Sequence, residues 1–441
     1  MDIILRNNKK IHDNIHGYIT LTVMATEIID HPYFQRLRKL KQLGVCNYIF
    51  PNAIHTRFEH SIGTYYLTNK ILFNIKKNSD NITTHIPELE NYFMRTYGNT
   101  NFVLDTYVCE LIKIAALCHD IGHGAFSHVF DDIFLPQIYS DNVNLNLKHE
   151  YRSGLILEHI INNNHILNKL IHTDEIQFMK LIIDPKQQKS FVYQIVSNSL
   201  NSIDVDKMDY LMRDIFMIYG IKNIQYSRLI EDVIIINDEL TYPDQSTYDI
   251  LTLFRTRHDM HRQIYCHKGV ISVQYLIIEL FFELNDVLNI ANSINNMEHF
   301  CDITDEYIIE SAKLLKIDKA IKIVKRLEHH DLYPFIDCII TKTKLNIDEF
   351  KEKYNNDILI FQTKIGFVSG EKNNPLDEIK VYNTKDNSKS HKLTAIKKNK
   401  NNITILLPSL YQENITMVFC KNKELVNNIK EKLVEWMDNI P

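Results

Sequence analysis

Glycine is scarce in this sequence of 441 residues. The chain contains 11 glycines, whereas an average usage of about 7% would give about 31. So low a content excludes collagen-like and glycine-rich low-complexity proteins, and it argues against a β-sandwich with many tight turns. Helix-rich globular proteins are the class that remains, and a chain of this length can bury a large core.

Cysteine pairs and secretory signals are also missing. The 7 cysteines are odd in number and form no Cys-x-x-Cys pair. We therefore expect free thiols in a reducing compartment, and no disulfide framework or zinc finger. The N-terminal residues lack an apolar segment of signal-peptide length. These features predict an intracellular protein, cytoplasmic or nuclear, that is not secreted.

No apolar run is free of charge over the length of a membrane span. The most apolar stretch, residues 271–290, contains Glu279, Glu283 and Asp286, which a lipid environment strongly disfavours. We expect a buried helix there and no membrane partner. The formal net charge of −5 argues against a wholly basic nucleic-acid-binding protein.

Apolar residues recur at helical spacing through the first three-quarters of the chain. The pattern predicts a helix that begins near Pro32 and further helical segments at 57–77, 102–120, 149–163, 188–199, 206–218, 246–267 and 271–291. Residues 233–242 are typical of a β-hairpin whose turn is Asn237-Asp238.

The texture of the sequence changes near residue 358. Short β-rich runs alternate with Lys- and Asn-rich stretches, at 358–363, 378–383, 403–406 and 416–420. A final helix is predicted from about 422 to 438, and residues 387–402 are expected to form exposed loops. We therefore predict a mainly α protein with a helical domain over residues 1–345, one β-hairpin, and a small α+β lobe over residues 346–441.

The segment 116–128 concentrates residues that can carry chemistry. A hydrophobic helix is followed within ten positions by two glycines and by His119, Asp120, His123 and His128. A histidine and a carboxylate at the end of a buried helix are costly unless something occupies their lone pairs. A mixed imidazole–carboxylate set suits a transition metal such as zinc or iron. A single His-Asp pair is more often a hydrogen-bonded core couple, but the neighbouring histidines and glycines favour a site.

Two other segments contain similar residue types. Residues 55–63 place Arg57 and His60 near the start of an apolar helix. Residues 202–214 pack carboxylates, a lysine, a tyrosine and an arginine into thirteen positions. Taken alone, the second run is more typical of a solvated helix face than of a functional site.

Together, these segments carry the His…His-Asp…Asp signature of the HD-domain metal-dependent phosphohydrolases, at His60, His119, Asp120 and Asp206. The chain more closely resembles the SAM- and HD-domain deoxynucleoside triphosphate triphosphohydrolases. This resemblance extends over nearly the whole chain and is densest at 34–44, 57–61, 117–124, 126–131, 203–207 and 256–268. The SAM module of that family is expected to be absent, because the catalytic core begins almost at once.

The resemblance implies an HD-domain helical core that converts a deoxynucleoside triphosphate (dNTP) and water to a deoxynucleoside and inorganic triphosphate. The four signature residues would hold one transition metal (zinc, iron or manganese), which would polarise the α-phosphate and activate water. Mg²⁺ would accompany the nucleotide phosphates. The residues implied in catalysis are His149, Glu150, His123, His128 and Asp131. A histidine among them would protonate the leaving 5′-oxygen.

The same resemblance implies a substrate site. The phosphate-binding residues would be Arg57, Lys207, Arg257 and His261, and the nucleoside would contact Gln42, Leu43, Tyr210, Asp214 and Tyr265. Asp214 would accept a hydrogen bond from the 3′-hydroxyl, in a site too tight for a 2′-hydroxyl. Cys266 stands where the family has glutamine near the base, so the base preference of the family is not transferred.

The match to the family's regulatory sites is partial. Residues that resemble activator contacts are Lys9, Asp30, Gln35, Arg38, Arg228 and Lys268. His12 replaces a family asparagine, and residues 243–245 lack the basic side chains of a second activator site. We expect GTP or dGTP to activate the protein through assembly into a dimer or tetramer.

Two other interpretations stay open. An inactive nucleotide-binding scaffold could use the metal site only to brace its fold. An HD-type phosphodiesterase or nuclease would act on nucleic acid and would need an extended basic and aromatic groove. The basic stretch at 387–402 gives only weak support for a nucleic-acid partner.

Overall fold

Helices dominate the protein, as the sequence predicts. A computed structural model describes residues 2–139, 147–186, 188–222, 226–366, 376, 378–393 and 412–438. The mainly α fold class is confirmed by the elements in these residues. None of the helices described there combines the length and the apolar character that a membrane crossing requires.

The α-helices are α1 (Asp2–Leu5), α2 (Val23–Ile29), α3 (Pro32–Gln35), α4 (Arg57–Asn78), α5 (Glu90–Tyr97), α6 (Thr106–Cys118), α7 (Leu135–Ile138), α8 (His149–Asn163), α9 (Thr173–Ile183), α10 (Val205–Tyr219), α11 (Ser227–Glu231), α12 (Thr247–Met260), α13 (Lys268–Leu288), α14 (Met297–Asp302), α15 (Asp305–Leu314), α16 (Asp318–Glu328), α17 (Asp348–Lys353) and α18 (Val426–Asp438). The predicted helix at 188–199 is wrong, because only a 3₁₀ turn, Phe191–Gln194, forms there.

The strands are β1 (Asn7–Asp13), β2 (Gly17–Thr22), β3 (Ile234–Ile236), β4 (Glu239–Pro243), β5 (Phe335–Thr341), β6 (Ile358–Gly366), β7 (Lys380–Asn383), β8 (Asp386–Lys392) and β9 (Gln412–Cys420). They form a β1–β2 pair, a sheet of order β3-β4-β7-β8 and a sheet of order β5-β9-β6. The predicted hairpin is the β3–β4 pair, and its turn residues Asn237 and Asp238 both have positive φ, as a tight hairpin turn requires.

A second hairpin, β1–β2, was not predicted. Its first strand, Asn7–Asp13, is largely polar and exposed, so it lacks the alternation that indicates a strand. The prediction of one hairpin is therefore wrong. The loop predicted at 387–402 is also wrong in part, because β8 covers Asp386–Lys392. The predicted strand at 403–406 lies outside the described residues.

Helix α6 lies at the centre of the helical core. Its N-cap is Asp105, whose side chain accepts a hydrogen bond from the Val108 amide, as N-cap residues commonly do. Nearly every residue of α6 is buried, and the helix packs against α4, α8 and α9. The helix is mostly apolar and its charged residues Glu110 and Lys113 pair with each other, so neighbouring elements can pack on all of its sides. The residues at its C-terminal end therefore lie deep inside the protein.

The C-terminal elements contact the helical domain through paired strands. The β5-β9-β6 sheet packs with α17 and α18 around a small apolar cluster that includes Phe350, Val418 and Leu433. Strand β7 pairs in parallel with β4 of the hairpin. The boundary between residues 345 and 346 stays a prediction.

Candidate metal centre and active site

Three helices bring the signature residues together. His60 lies in the first turn of α4, where Thr56 and Glu59 form a capping box. His119 and Asp120 follow the last residue of α6, and Asp206 lies in the first turn of α10. Because these residues lie at or next to the ends of three different helices, their side chains can reach one common point.

The donor atoms of these residues converge closely. His60 Nε2 lies 3.2 Å from His119 Nε2 and 3.1 Å from Asp206 Oδ1. His119 Nε2 lies 3.4 Å from Asp206 Oδ1 and 3.4 Å from Asp120 Oδ1. Atoms bound to one cation at about 2.1 Å are separated by about 3.0 to 3.4 Å in octahedral and tetrahedral geometry. The spacing of His60, His119 and Asp206 therefore fits one metal ion, whereas Asp120 groups with His123 and His149 as a second possible set of ligands.

The nitrogen of each histidine that faces away from this cluster has its own acceptor. His60 Nδ1 lies 2.9 Å from Asp209 Oδ2, and His119 Nδ1 lies 2.7 Å from the carbonyl oxygen of Ala116. Such partners fix the ring orientation of metal-binding histidines and leave Nε2 as the donor. The donor set thus has the imidazole–carboxylate chemistry of a transition-metal site.

Neighbouring charged groups shift the pKa values of His60 and Asp120. Burial lowers the pKa of His60, but hydrogen bonds to Asp206 and Asp209 outweigh this effect and raise it to about 10. Burial raises the pKa of Asp120, but the neighbouring His119 and then Arg57 hold it well below its usual range. A cation at His60 Nε2 must displace a proton there, so metal binding is expected to release protons.

A group of histidines adjoins the metal cluster. His123 Nε2 lies 3.5 Å from Asp120 Oδ1, and His123 Nδ1 lies 2.6 Å from Asp131 Oδ2. The ring of His149 stacks on that of His123. His128 contacts both rings at their edges and is more exposed. All five residues implied in catalysis lie here, since Glu150 Oε2 is 3.5 Å from His149 Nδ1.

Two buried arginines hold the turn that carries His123. Arg36 Nη2 donates to the carbonyl oxygen of His123 at 2.8 Å, and Arg152 Nε donates to that of Gly122 at 2.9 Å. Arg152 also pairs with Asp131. A Cβ on Gly122 would overlap the backbone of α8. The glycine therefore permits the close approach that stacks His149 on His123.

The cationic side chains that the sequence analysis predicts to bind phosphate have partners within the protein. Arg57 is buried, pairs with Asp120, and donates through Nε to Ser127 Oγ at 3.0 Å. Lys207 Nζ lies 3.0 Å from Asp204 Oδ2. Arg257 donates to the carbonyl oxygen of Gly366. Burial and the charge of Arg257 lower the pKa of His261 to about 3, so His261 is neutral at neutral pH.

The residues implied in sugar binding form a second polar group. Asp214 is buried, with His55 Nε2 at 2.7 Å from one oxygen and Tyr265 Oη at 2.5 Å from the other. Burial raises the pKa of Tyr210 to about 12 despite the charges of Arg257 and Lys207. Gln42 Oε1 is buried without a hydrogen-bond partner in the described residues. Buried acceptors without a partner are uncommon in native proteins, and a hydrogen-bond donor on a ligand would satisfy this one.

Four of the six residues implied in regulation form two pairs at the surface. Lys9 Nζ lies 2.9 Å from Asp30 Oδ1, and Arg38 Nε donates to Gln35 Oε1 at 2.8 Å. The remaining two contact other partners, since Arg228 Nη1 lies 3.7 Å from Asp249 and Lys268 Nζ lies 5.1 Å from the Phe335 ring centroid.

The sequence interpretation assigned no role to Asp209, Arg213 or His16, which are buried in this site. Asp209, Arg213 and Asp214 are almost fully buried, so residues 202–214 do not form a solvated helix face. His16, which pairs with Asp209, lies outside every motif. A signal existed for Asp209 and Arg213, because carboxylates and an arginine four residues apart occupy the same helix face as Asp206.

A helical core that gathers two histidines and two aspartates from three helix ends defines the HD-domain proteins. The HD domain family matches residues 57–214. An HD domain-containing protein of Acanthamoeba polyphaga mimivirus is 36% identical over 94% of this chain and 92% of its own length. A deoxynucleoside triphosphate triphosphohydrolase SAMHD1 homolog of Dictyostelium discoideum is 31% identical over 98% of this chain and 81% of its own. Human deoxynucleoside triphosphate triphosphohydrolase SAMHD1 is 29% identical over 97% and 73%. The chain belongs to the SAMHD1 family of HD-domain triphosphohydrolases.

Proposed function

We propose that this protein hydrolyses dNTPs to a deoxynucleoside and inorganic triphosphate. The observation that carries the proposal is the convergence of His60, His119 and Asp206 within 3.1–3.4 Å beside the buried Arg57. Membership of a triphosphohydrolase family supports it. The donor set accommodates zinc, iron or manganese, and Mg²⁺ would accompany the phosphates. A metal bound there would supply Lewis-acid polarisation of the α-phosphate and a water of lowered pKa.

Arg57 is suited to orient the phosphates. Its guanidinium is fixed by Asp120 and Ser127, so it needs little reorganisation when a polyanion binds. Lys207, Arg257 and His261 would add three further donors along the triphosphate, and arginine and lysine contribute charge as well. Together these side chains would hold the α-phosphorus next to the metal cluster.

His149 is our candidate for the proton donor to the leaving 5′-oxygen. Burial and then His123 lower its pKa well below the usual range, so it is neutral before substrate binds. The negative charges of a triphosphate would raise this pKa. His149 would then carry a proton when the ester bond breaks. Glu150, His128 and Asp131 would complete this acid–base group.

Asp214 and Tyr265 are suited to select the sugar. Both oxygens of Asp214 accept from protein donors, yet each retains a lone pair that a 3′-hydroxyl could use. The Tyr265 ring beside it would restrict the space for a 2′-hydroxyl. Gln42 and Leu43 would close the site from the opposite segment.

Regulation by guanine nucleotides is part of the proposal. The Lys9–Asp30 ion pair and the hydrogen bond from Arg38 to the neutral Gln35 amide are exposed, so a nucleotide could rearrange them. We infer that GTP or dGTP binds there and stabilises a dimer or tetramer.

The test is a product analysis. The purified protein is incubated with each dNTP and Mn²⁺, with and without GTP, and products are separated by anion exchange. We expect a deoxynucleoside and triphosphate in equal amounts. Deoxynucleoside monophosphate with pyrophosphate, or hydrolysis of single-stranded nucleic acid alone, would contradict the proposal. No product under any condition would favour a silent scaffold.

A further inference from the structure

The turn of the N-terminal hairpin reaches into the protein as far as the metal cluster. His16, at the end of the β1–β2 turn, places Nε2 at 2.6 Å from Asp209 Oδ1. Its side chain is 6% exposed. Asp13, at the end of β1, accepts from the His16 amide at 2.8 Å. The other oxygen of Asp13 accepts from Arg213 Nη1 at 2.7 Å.

Asp209 connects this turn to His60. Asp209 Oδ2 lies 2.9 Å from His60 Nδ1 and accepts a hydrogen bond from Arg213 Nε at 2.9 Å. Asp209 Oδ1 contacts His16 Nε2 and accepts a hydrogen bond from Arg213 Nη2. Asp209 is fully buried. Because every direction around the carboxylate is occupied, the turn and Arg213 determine where Asp209 holds the His60 ring.

The absence of a side chain at Gly63 leaves space for the Asp209–Arg213 ion pair. A Cβ on Gly63 would overlap Asp209 Oδ1 and Arg213 Nη2, so a glycine in α4 admits the ion pair. Desolvating so many charges is expensive, and apolar residues of similar volume often give equal or greater stability. Stability alone therefore gives little reason for this network.

We propose that His16 and Asp13 are positioning residues of the metal centre, which act through Asp209 to direct His60 Nε2 at the cation. The proposal deepens the proposed function, since it rests on the metal site described there. Strand β1 also carries Lys9 of the surface pair with Asp30. Displacement of this hairpin would therefore change the position of His60 Nε2 and weaken metal binding.

The experiment measures metal binding without nucleotide. Protein stripped with chelator is titrated with Co²⁺, whose visible absorption reports ligand geometry. The His16→Phe variant keeps a ring but loses the hydrogen bond, and His16→Gln keeps an N–H donor. We expect the dissociation constant to rise about tenfold in His16→Phe, with an altered spectrum, and to stay within threefold of the unsubstituted protein in His16→Gln. His299→Phe is the matched control, because its imidazole bonds the Leu288 carbonyl.

Either of two results would overturn the proposal. Unchanged affinity and spectrum in His16→Phe would show that the turn does not position His60. Equal losses in the Phe and Gln variants would show that the hydrogen bond from residue 16 to Asp209 does not account for the effect. If His16→Phe does not fold, Asp13→Asn tests the same link, and unchanged Co²⁺ affinity in that variant also refutes it. Because no dNTP is present, failure of hydrolysis refutes the proposed function and leaves this result standing.

Discussion

The imidazole of His149 stacks on that of His123, with ring centroids 3.8 Å apart and an interplanar angle of 17°. His123 is held in turn by Asp131 at 2.6 Å. This stacking fixes the histidine that begins α8 beside the four signature residues, where His149 forms a second possible set of ligands with His123 and Asp120. A fixed ring of low pKa can respond sharply to the charge of an incoming polyanion.

Replacement of His149 should therefore impair catalysis and spare the metal. We expect His149→Gln to lower kcat by about 10²- to 10³-fold, because proton transfer to the leaving group is lost. Metal content, measured by inductively coupled plasma mass spectrometry, should be unchanged. His159→Gln, in the same helix, should keep full activity. A fall of less than threefold in His149→Gln would exclude the proton-donor role.

Loss of Asp206 should remove the metal. We expect Asp206→Ala to contain less than about a tenth of the metal of the unsubstituted protein, because a carboxylate donor of the cluster is gone. Its circular dichroism should still show a folded helical chain, while hydrolysis disappears. Asp318→Ala, also in the first turn of a helix, is the control. Retained metal and activity in Asp206→Ala would refute the ligand assignment.

Tyr265 should control discrimination against ribonucleotides. We expect Tyr265→Ala to increase the ratio of kcat/KM for ATP to that for dATP by about tenfold or more, since removal of the ring opens space for a 2′-hydroxyl. Tyr265→Phe retains the ring and should keep the original ratio. The measurement is initial rates with both nucleotides under identical activator. An unchanged ratio in the Ala variant would place the discrimination elsewhere.

Asp131 should make stability depend on pH. Burial opposes ionisation of this carboxyl, but Arg152 and then His123 hold its pKa below the usual range. A carboxyl with a depressed folded pKa adds stability above the unfolded value of about 3.9, and this stability is lost as the pH falls through the folded pKa. Asp131→Asn should therefore cost about 3 kcal/mol of unfolding free energy at pH 7.

The test is how the difference in unfolding free energy between the unsubstituted protein and Asp131→Asn changes with pH. Urea unfolding should show the gap between the unsubstituted protein and Asp131→Asn narrowing by about 1 kcal/mol from pH 5 to pH 3. Asp132→Asn, at the exposed neighbouring residue, should show no comparable gap. A constant gap across this range would mean that Asp131 contributes by packing and not by charge.

Local sequence patterns were sufficient to predict most of the helices and much of the candidate site. His119 and Asp120 were identifiable because they follow directly after a mostly apolar helix. Helix α10 was misjudged as solvated when read alone, because its charged face is buried only by other parts of the chain. Sequence periodicity reports one element at a time, and Asp209 contacts residues far outside its own helix.

The β1–β2 hairpin shows the same limit. The strand Asn7–Asp13 has no apolar alternation, and its pairing with β2 is what satisfies its backbone. For residues 188–199 the error was the opposite one. A helix was predicted from the apolar residues, but these residues are buried in and around a short turn. In both segments tertiary packing outweighed local preference.

The link from His16 to Asp209 spans 193 residues of chain, and the link from Asp209 to His60 spans 149. Contacts between such distant residues close large loops, which makes their formation slow relative to local helices. During synthesis, the hairpin and α4 emerge long before α10 exists. The metal centre can therefore be completed only after α10 has docked, so the cation is expected to bind no earlier than the folding of the first half of the chain.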